Sequence, residues 1–142
     1  MLAAELTTVV AALFTGAAIY VNVAEQPARL TLGDLPMLTE WQESYRRAAV
    51  MQAALALLGA GLGCLAAYRL ADWRWLLAAL LLIANWPYTL IYIKPINDAL
   101  HRHANSGGDP DARRLVERWG RLHAGRSGLG AAAVLVALWA QH

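Results

Sequence analysis

Leu76-Leu-Ala-Ala-Leu-Leu-Leu-Ile-Ala-Asn-Trp-Pro-Tyr-Thr-Leu-Ile-Tyr-Ile93 runs for eighteen residues without a charged side chain. A helix that crosses a bilayer needs about 20 mostly apolar residues, within a range of about 17–25, so the stretch reads as a membrane span. Leu6–Ala24, Ala48–Tyr68 and Ser127–Ala140 stand beside it. The first two meet the length requirement, while the last has only 14 residues. Composition agrees: of 142 residues, 58% are hydrophobic and 15% charged, against roughly a quarter charged in soluble domains. The length suits one domain. The expected architecture is therefore an all-α integral membrane four-helix bundle over residues 1–142. Its spans are expected near 6–24, 48–68, 76–93 and 123–140.

Local signals set the expected helix ends. Met1-Leu-Ala-Ala-Glu5 lacks the basic residues that open a signal peptide, so helix 1 is expected to be retained, over about Ala3–Ala24. Pro27 is expected to stop it, because proline disfavours helix in the residue before it. Arg29–Leu38 reads as a connector, and Thr39-Glu-Trp-Gln42 as a capping box opening helix 2, which continues to Tyr68. Arg69–Ala71 reads as a tight turn and Asp72 as the N-cap of helix 3. Pro87 and Pro95 are expected to bend helix 3. His101–Gly108 reads as a polar loop, and Asp109-Pro110 as the N-cap and first-turn proline of helix 4. Helix 4 then spans roughly 30 residues, about 45 Å, so helices 2 and 4 should project from the membrane on one side. Cys64 is the single cysteine, which excludes an intrachain disulfide and a cysteine metal cluster. In mid-helix it reads as a small packing residue.

Ten basic residues fall on the side of the two long connectors: Arg29, Arg46, Arg47, Lys94, Arg102, Arg113, Arg114, Arg118, Arg121 and Arg126. Arg69 and Arg74 are the two on the other. The positive-inside rule makes segments 25–47 and 94–122 cytoplasmic and places both termini outside. The pI near 9.0 follows from these basic loops, so no nucleic-acid partner is expected. Gly59 and Gly63, and the Gly120, Ala124, Gly128 series, allow close helix approach. Those seams serve either within one chain or between copies in a homo-oligomer.

Polar side chains inside an apolar span are costly and therefore informative. Asn22 and Glu25 share one face of helix 1 by their spacing of three. Gln52 sits at similar depth, with Trp41 and Tyr45 on the same stripe. Asn85 lies near mid-membrane, followed by Tyr88, Thr89 and Tyr92. Sixteen residues follow Arg126, about 24 Å of helix, against a hydrocarbon core of about 30 Å. Arg126 and His123 are thus drawn to the edge of the hydrocarbon, on one stripe with Trp119. Asn22, Glu25, Gln52, Asn85, His123 and Arg126 can face one cavity. Histidine suits general acid–base work near neutrality, and an arginine suits stabilisation of an oxyanion. Tyr88, Tyr92, Trp86 and Trp119 offer flat walls to an aromatic ligand. The competing readings are structural: amides as interhelical glue, Glu25 and Arg126 as an ion pair, and aromatics as interfacial belt. Trp73, Trp75 and Trp139 read as belt residues. His101 and His103 are two apart and do not share a helix face, so no metal site is expected.

Tyr20-Val-Asn-Val-Ala-Glu-Gln-Pro-Ala-Arg29, Asn85-Trp-Pro-Tyr-Thr89, Lys94-Pro-Ile-Asn97 and Arg118-Trp-Gly-Arg-Leu-His-Ala-Gly-Arg126 resemble the small four-helix membrane family that includes the anthrone oxygenases. The resemblance covers nearly the whole chain in order. It implies insertion of oxygen into an activated carbon of a tricyclic phenolic ketone, without a conventional cofactor. The positions it implies are Asn22, Glu25, Pro27, Asn85, Pro87, Thr89, Asn97, Trp119, His123 and Arg126. Many relatives carry His where this chain has Gln26, which removes a second imidazole.

The leading expectation is an oxygenase for a lipophilic aromatic or quinone-type substrate, without cofactor. His123 would be the base, Glu25 would orient it, and Arg126, Asn22 and Asn85 would stabilise the anion. Tyr88, Thr89, Asn97 and Trp119 complete the expected substrate contacts. Two rivals use the same features: a non-enzymatic binder or carrier of a hydrophobic small molecule, and an accessory subunit docking a partner on helices 2 and 4.

Overall fold

The structure, a computed structural model, describes residues 1–107 and 111–142. It is 90% helical, with no strand among the described residues. Four helices are long and apolar enough to cross a membrane: α1 (Leu2–Arg29), α2 (Asp34–Leu70), α3 (Trp73–Asn105) and α4 (Ala112–Trp139). They form a multi-pass membrane bundle running up, down, up and down. Each packs on its two neighbours in chain order, and α4 returns to α1. The far end of the bundle is tied by Gln141 Nε2 donating to Thr8 Oγ1 and by Arg74 Nη1 donating to the Trp139 carbonyl. Both termini therefore share that end with the α2–α3 turn.

Two prolines reshape their helices without ending them. Pro27 was expected to stop helix 1, yet α1 continues to Arg29. Its turn Val21–Glu25 is π-helical, with the Gln26 N–H bonding to the Val21 carbonyl. The same pattern recurs in α3, where Thr89–Ile93 is π-helical and the Lys94 N–H bonds to Thr89. In both cases the wide turn ends two residues before a proline, Pro27 or Pro95. A proline ring clashes with the carbonyl four residues back and offers no N–H, and widening the preceding turn makes room without ending the helix. Pro87 acts differently. The helix breaks at Ala84, and Asn85 Nδ2 donates to the Leu81 and Leu82 carbonyls at 3.3 and 3.1 Å. A side-chain amide thus caps groups left open by the break.

Other boundaries also move. Helix 2 opens at Asp34 and not at Thr39, whose hydroxyl donates back to the Leu35 carbonyl within the helix. The expected capping box is therefore interior helix. Residues 101–105 of the expected polar loop are helical, so α3 projects beyond the span alongside α2 and α4. The Asp109-Pro110 cap lies outside the described residues. The α2–α3 turn is as expected: Ala71 adopts a left-handed φ of 51°, and Asp72 caps α3 by accepting from the Arg74 N–H at 3.0 Å. The Arg74 hydrogen bonds hold the Asp72 carboxyl below the usual carboxylate range.

The interior has two textures. Toward the termini it is built of alanines around Phe14, Trp75 and Leu82. Small side chains let the helices approach closely. A Cβ on Gly63 would lie 2.9 Å from the Ala79 Cβ, and one on Gly59 would lie 2.6 Å from Leu82. The Gly59–Gly63 seam is thus an intrachain contact of α2 with α3, and with Val10 of α1, whereas in the second series Gly120 meets Gln26 of α1 and Gly128 faces open space. Trp75, expected in the interfacial belt, is instead buried in this core, and Cys64, expected to pack, is exposed. Toward the basic end, larger residues fill the core: Met37, Leu38, Trp41, Ile96, Leu100, Val116 and Trp119. The first turns of α2 are held there by Arg113 of α4, which donates to the Leu30 and Leu32 carbonyls and pairs with Asp34.

Candidate functional site

The polar residues gather where these two textures meet. On α1, the wide turn presents Asn22 to α4. Asn22 Nδ2 donates to the Gly120 carbonyl at 2.8 Å, which leaves Oδ1 as the acceptor. That oxygen receives the Ser127 hydroxyl at 2.9 Å and contacts His123 Nδ1 at 3.1 Å. An amide oxygen cannot donate, so His123 carries its hydrogen on Nδ1. In the neutral ring, Nε2 then holds the lone pair. Trp119 stacks on the imidazole at 4.9 Å.

Glu25 takes a different place from the expected one. It accepts from Arg29 Nη2 at 2.7 Å, so the group orienting His123 is Asn22 and not Glu25. The expected alternative of a Glu25–Arg126 pair is likewise replaced by Glu25–Arg29. Arg29 is only 2% exposed. It also donates to Glu40 at 2.6 Å, to Ser44 at 2.8 Å and to Gln26 at 3.2 Å. Its guanidinium lies 5.4 Å from the Trp119 ring centre. This cluster ties α1 to α2 and supports the back of Trp119. Gln26 fills the place where a second imidazole was missed: its Nε2 donates to Val116, and a Cβ on Gly120 would lie 2.7 Å from it.

A second amide relay holds the opposite wall. Trp119 Nε1 donates to Asn97 Oδ1 at 2.9 Å, and Asn97 Nδ2 donates to the Tyr45 hydroxyl at 2.8 Å. The Tyr45 oxygen is thus an acceptor from Asn97, and its own hydrogen is available to a further partner. Tyr45 also stacks on Trp41 at 5.2 Å.

Two adjoining cavities result. The smaller is bounded by Glu25, Arg29, Gln52, Trp119, His123 and Arg126, among others, and has space for about one water. Gln52 is 1% exposed and, among the described residues, neither polar atom of its amide has a partner. The larger cavity, about 170 Å³, is lined by Tyr45, Ala49, Ala53, Asn85, Trp86, Thr89, Leu90 and Arg126. Asn85 has spent its NH₂ on backbone carbonyls, and among the described residues its Oδ1 has no partner, nor has Thr89 Oγ1.

Arg126 belongs to both cavities. It is 7% exposed and, among the described residues, its Nε has no partner. Among the described residues no carboxylate pairs with it, and its guanidinium lies 5.6 Å from the Phe14 ring centre. The site therefore offers an unopposed cation, a tyrosine hydroxyl, two vacant acceptor oxygens and an imidazole held in one tautomer. That set can bind and polarise an acidic oxygen-bearing ligand.

Of the expected residues, Glu25, Trp119, His123 and Arg126 meet at the small cavity, and Asn85, Thr89 and Arg126 at the large one. Asn22 and Asn97 stand behind them as supports. Tyr88 lines neither cavity; its hydroxyl donates to the Leu122 carbonyl against Gly125. Tyr92 is exposed beside it. Arg29, Tyr45 and Ser127 were not picked out as site residues. For Arg29 a signal existed, since Glu25 and Arg29 are spaced i, i+4. Among the described residues no three His, Cys, Asp or Glu side chains converge as metal ligands, and His101 instead packs on Trp41 at 5.0 Å.

No curated protein and no solved structure matches the chain. A family model does, that of anthrone oxygenase, over residues 41–136. The matched range holds Asn85, Thr89, Asn97, Trp119, His123 and Arg126, whereas Asn22 and Glu25 precede it. Because it takes in well over half of the chain and most of the site just described, the protein belongs to the anthrone oxygenase family.

Proposed function

We propose that this protein is a membrane oxygenase that acts, without a conventional cofactor, on a lipophilic phenolic ketone bound in the larger cavity, and that its basic end faces the cytoplasm. The observation that carries the reading is Arg126. A buried cation without a counter-charge is costly, and an anionic ligand oxygen supplies what the protein does not. The vacant Asn85 and Thr89 oxygens beside it suit a ligand that also carries hydroxyl groups.

The residues then divide the work as follows. His123 borders the small cavity and not the larger one, so its Nε2 takes the proton from the activated carbon through the one water that the small cavity has room for. The negative charge moves onto the ketone oxygen, which Arg126 and the Tyr45 hydroxyl stabilise. The electron-rich carbon reduces dioxygen, and a carbon–oxygen bond forms. The proton returns to the resulting peroxide, and loss of water leaves a second carbonyl. The sum is one CH₂ and one O₂ giving one C=O and one H₂O. Asn22 keeps His123 in the tautomer this requires.

Oxygen uptake by the purified protein in vesicles, with 1,8-dihydroxyanthrone as the probe, tests the reading. Uptake with formation of the quinone is expected. His123→Gln should lower the rate about 10²- to 10⁴-fold, the range for loss of a general base, with probe affinity little changed. Unchanged turnover in that variant removes the role of His123. Probe binding without oxygen uptake by the native chain would make it a binder instead.

A further inference from the structure

We infer that the ligand reaches the larger cavity sideways from the bilayer, through a window between α2 and α3. The inference rests on the reading of that cavity as the ligand site. Two clamps hold the helices together and leave a gap between them. On the side of the termini, Gly59 and Gly63 press α2 against Leu82, Ala79 and the Trp75 carbonyl, with no room for a Cβ. On the basic side, Tyr45 and Asn97 are joined by a hydrogen bond, and Gln42 meets His101 at 3.2 Å. Between the clamps α2 offers only Ala49 and Ala53 to the cavity, while α3 is broken at Ala84 and wide over Thr89–Ile93. Short side chains on one helix and a broken axis on the other keep the walls apart.

The gap lies at span depth and its rim is apolar. Leu90 is 59% exposed and Trp86 40%. Val50 and Leu57, on the outer face of α2, are exposed as well. A molecule dissolved in the hydrocarbon therefore meets aliphatic and indole surface at the mouth. It finds Tyr45, Asn85, Thr89 and Arg126 inside. A route from water would instead start at the basic end, whose core Trp41, Trp119 and their neighbours fill. The open groove there that meets Tyr45 and Ala49 is rimmed by polar and charged side chains, Gln42, Glu43, Arg46 and His101, and not by apolar ones. The occupant that fits this path is an uncharged aromatic molecule that partitions into lipid and becomes an anion only beside Arg126.

The test uses the native chain in phosphatidylcholine vesicles with 3-trifluoromethyl-3-phenyldiazirine, a lipid-soluble photoreactive aromatic. Labelled residues are read by mass spectrometry. Label on Ala49, Ala53 or Thr89 is expected, beside label on outward Val50 and Leu57. Ala53→Trp should plug the window and cut label on Thr89 by about tenfold, with the outward pattern unchanged. Leu90→Trp at the outer rim serves the same purpose if the first variant does not fold. Label confined to outward residues overturns the window. So does undiminished Thr89 label in a plugged variant. Added 1,8-dihydroxyanthrone should displace the cavity label. If the cavity labels and plugs as expected but the anthrone does not compete, the window stands and the proposed ligand class falls.

Discussion

Arg126 is the residue at which a structural role and a chemical one lead to opposite measurements. Were it a scaffold cation, removing it would cost stability. Among the described residues it has no carboxylate partner, and it is nearly buried with only the Phe14 ring beside its guanidinium, so most of its desolvation is uncompensated. Arg126→Met is therefore expected to leave the melting temperature of the ligand-free protein unchanged or higher. The same variant should weaken binding of 1,8-dihydroxyanthrone roughly 10- to 100-fold, the loss of one charge-assisted hydrogen bond. Calorimetry and fluorescence titration in one detergent read both. A lower melting temperature with intact binding would return Arg126 to the scaffold. Arg29 is the contrasting case: it too is buried, but Glu25 and Glu40 face it, so its charge is matched and its work is to hold α1 and α2 behind Trp119.

Among the elements, the two wide turns matter most for the site. Each inserts its extra residue just before Pro27 or Pro95, and each aims site residues: Asn22 and Glu25 in the first, Thr89 in the second. The second turn also sets the phase of Lys94–Asn105, and with it the Asn97 relay to Trp119 and Tyr45. Pro95→Ala restores the missing N–H and permits ordinary α-helical bonds. The turn should then tighten, rotating Asn97 by about 100° relative to the rest of α3. The melting temperature is expected to hold or rise, while binding of 1,8-dihydroxyanthrone weakens at least about tenfold, as misplacement of positioning groups does. Near-ultraviolet circular dichroism of Trp119 and Tyr45 should change in step. Unaltered binding would show that the π turn is incidental.

For the whole molecule, the ten-to-two division of Lys and Arg between the bundle ends is the main asymmetry. Some of these residues also hold structure. Arg113 fastens the α1–α2 connector, and Arg126 turns inward. Those remaining still outnumber the two at the other end, which supports the proposed orientation with the termini outside the cytoplasm. A C-terminal alkaline phosphatase fusion should therefore be active, and a fluorescent-protein fusion at the same position dark. The reverse pattern would invert the orientation and place the site near the opposite face of the membrane.

Apolar run length was enough to determine three crossing helices, because each span must satisfy its own backbone in lipid whatever its neighbours do; the fourth run, of 14 residues, crosses only by taking His123 and Arg126 into the span. Depth counting also brought His123 and Arg126 to one level, since rise per residue is a local property. The choice of partner was not local. Glu25 lies near His123 in depth, yet Arg29 on its own helix takes it, and Asn22 becomes the partner of the imidazole because Gly120 takes its Nδ2 and leaves Oδ1, shared with the Ser127 hydroxyl, to accept from Nδ1. Tyr88 has the spacing of a cavity residue, but Gly125 draws it against α4. Proline was legible as a bend and misread as a stop, because a helix supported by three others can widen where an isolated one ends. Four helices and a level of polar groups thus follow from the chain alone. Which of those groups remain unpaired, and so are left for a ligand, depends on competition among side chains that only the packed bundle brings within reach.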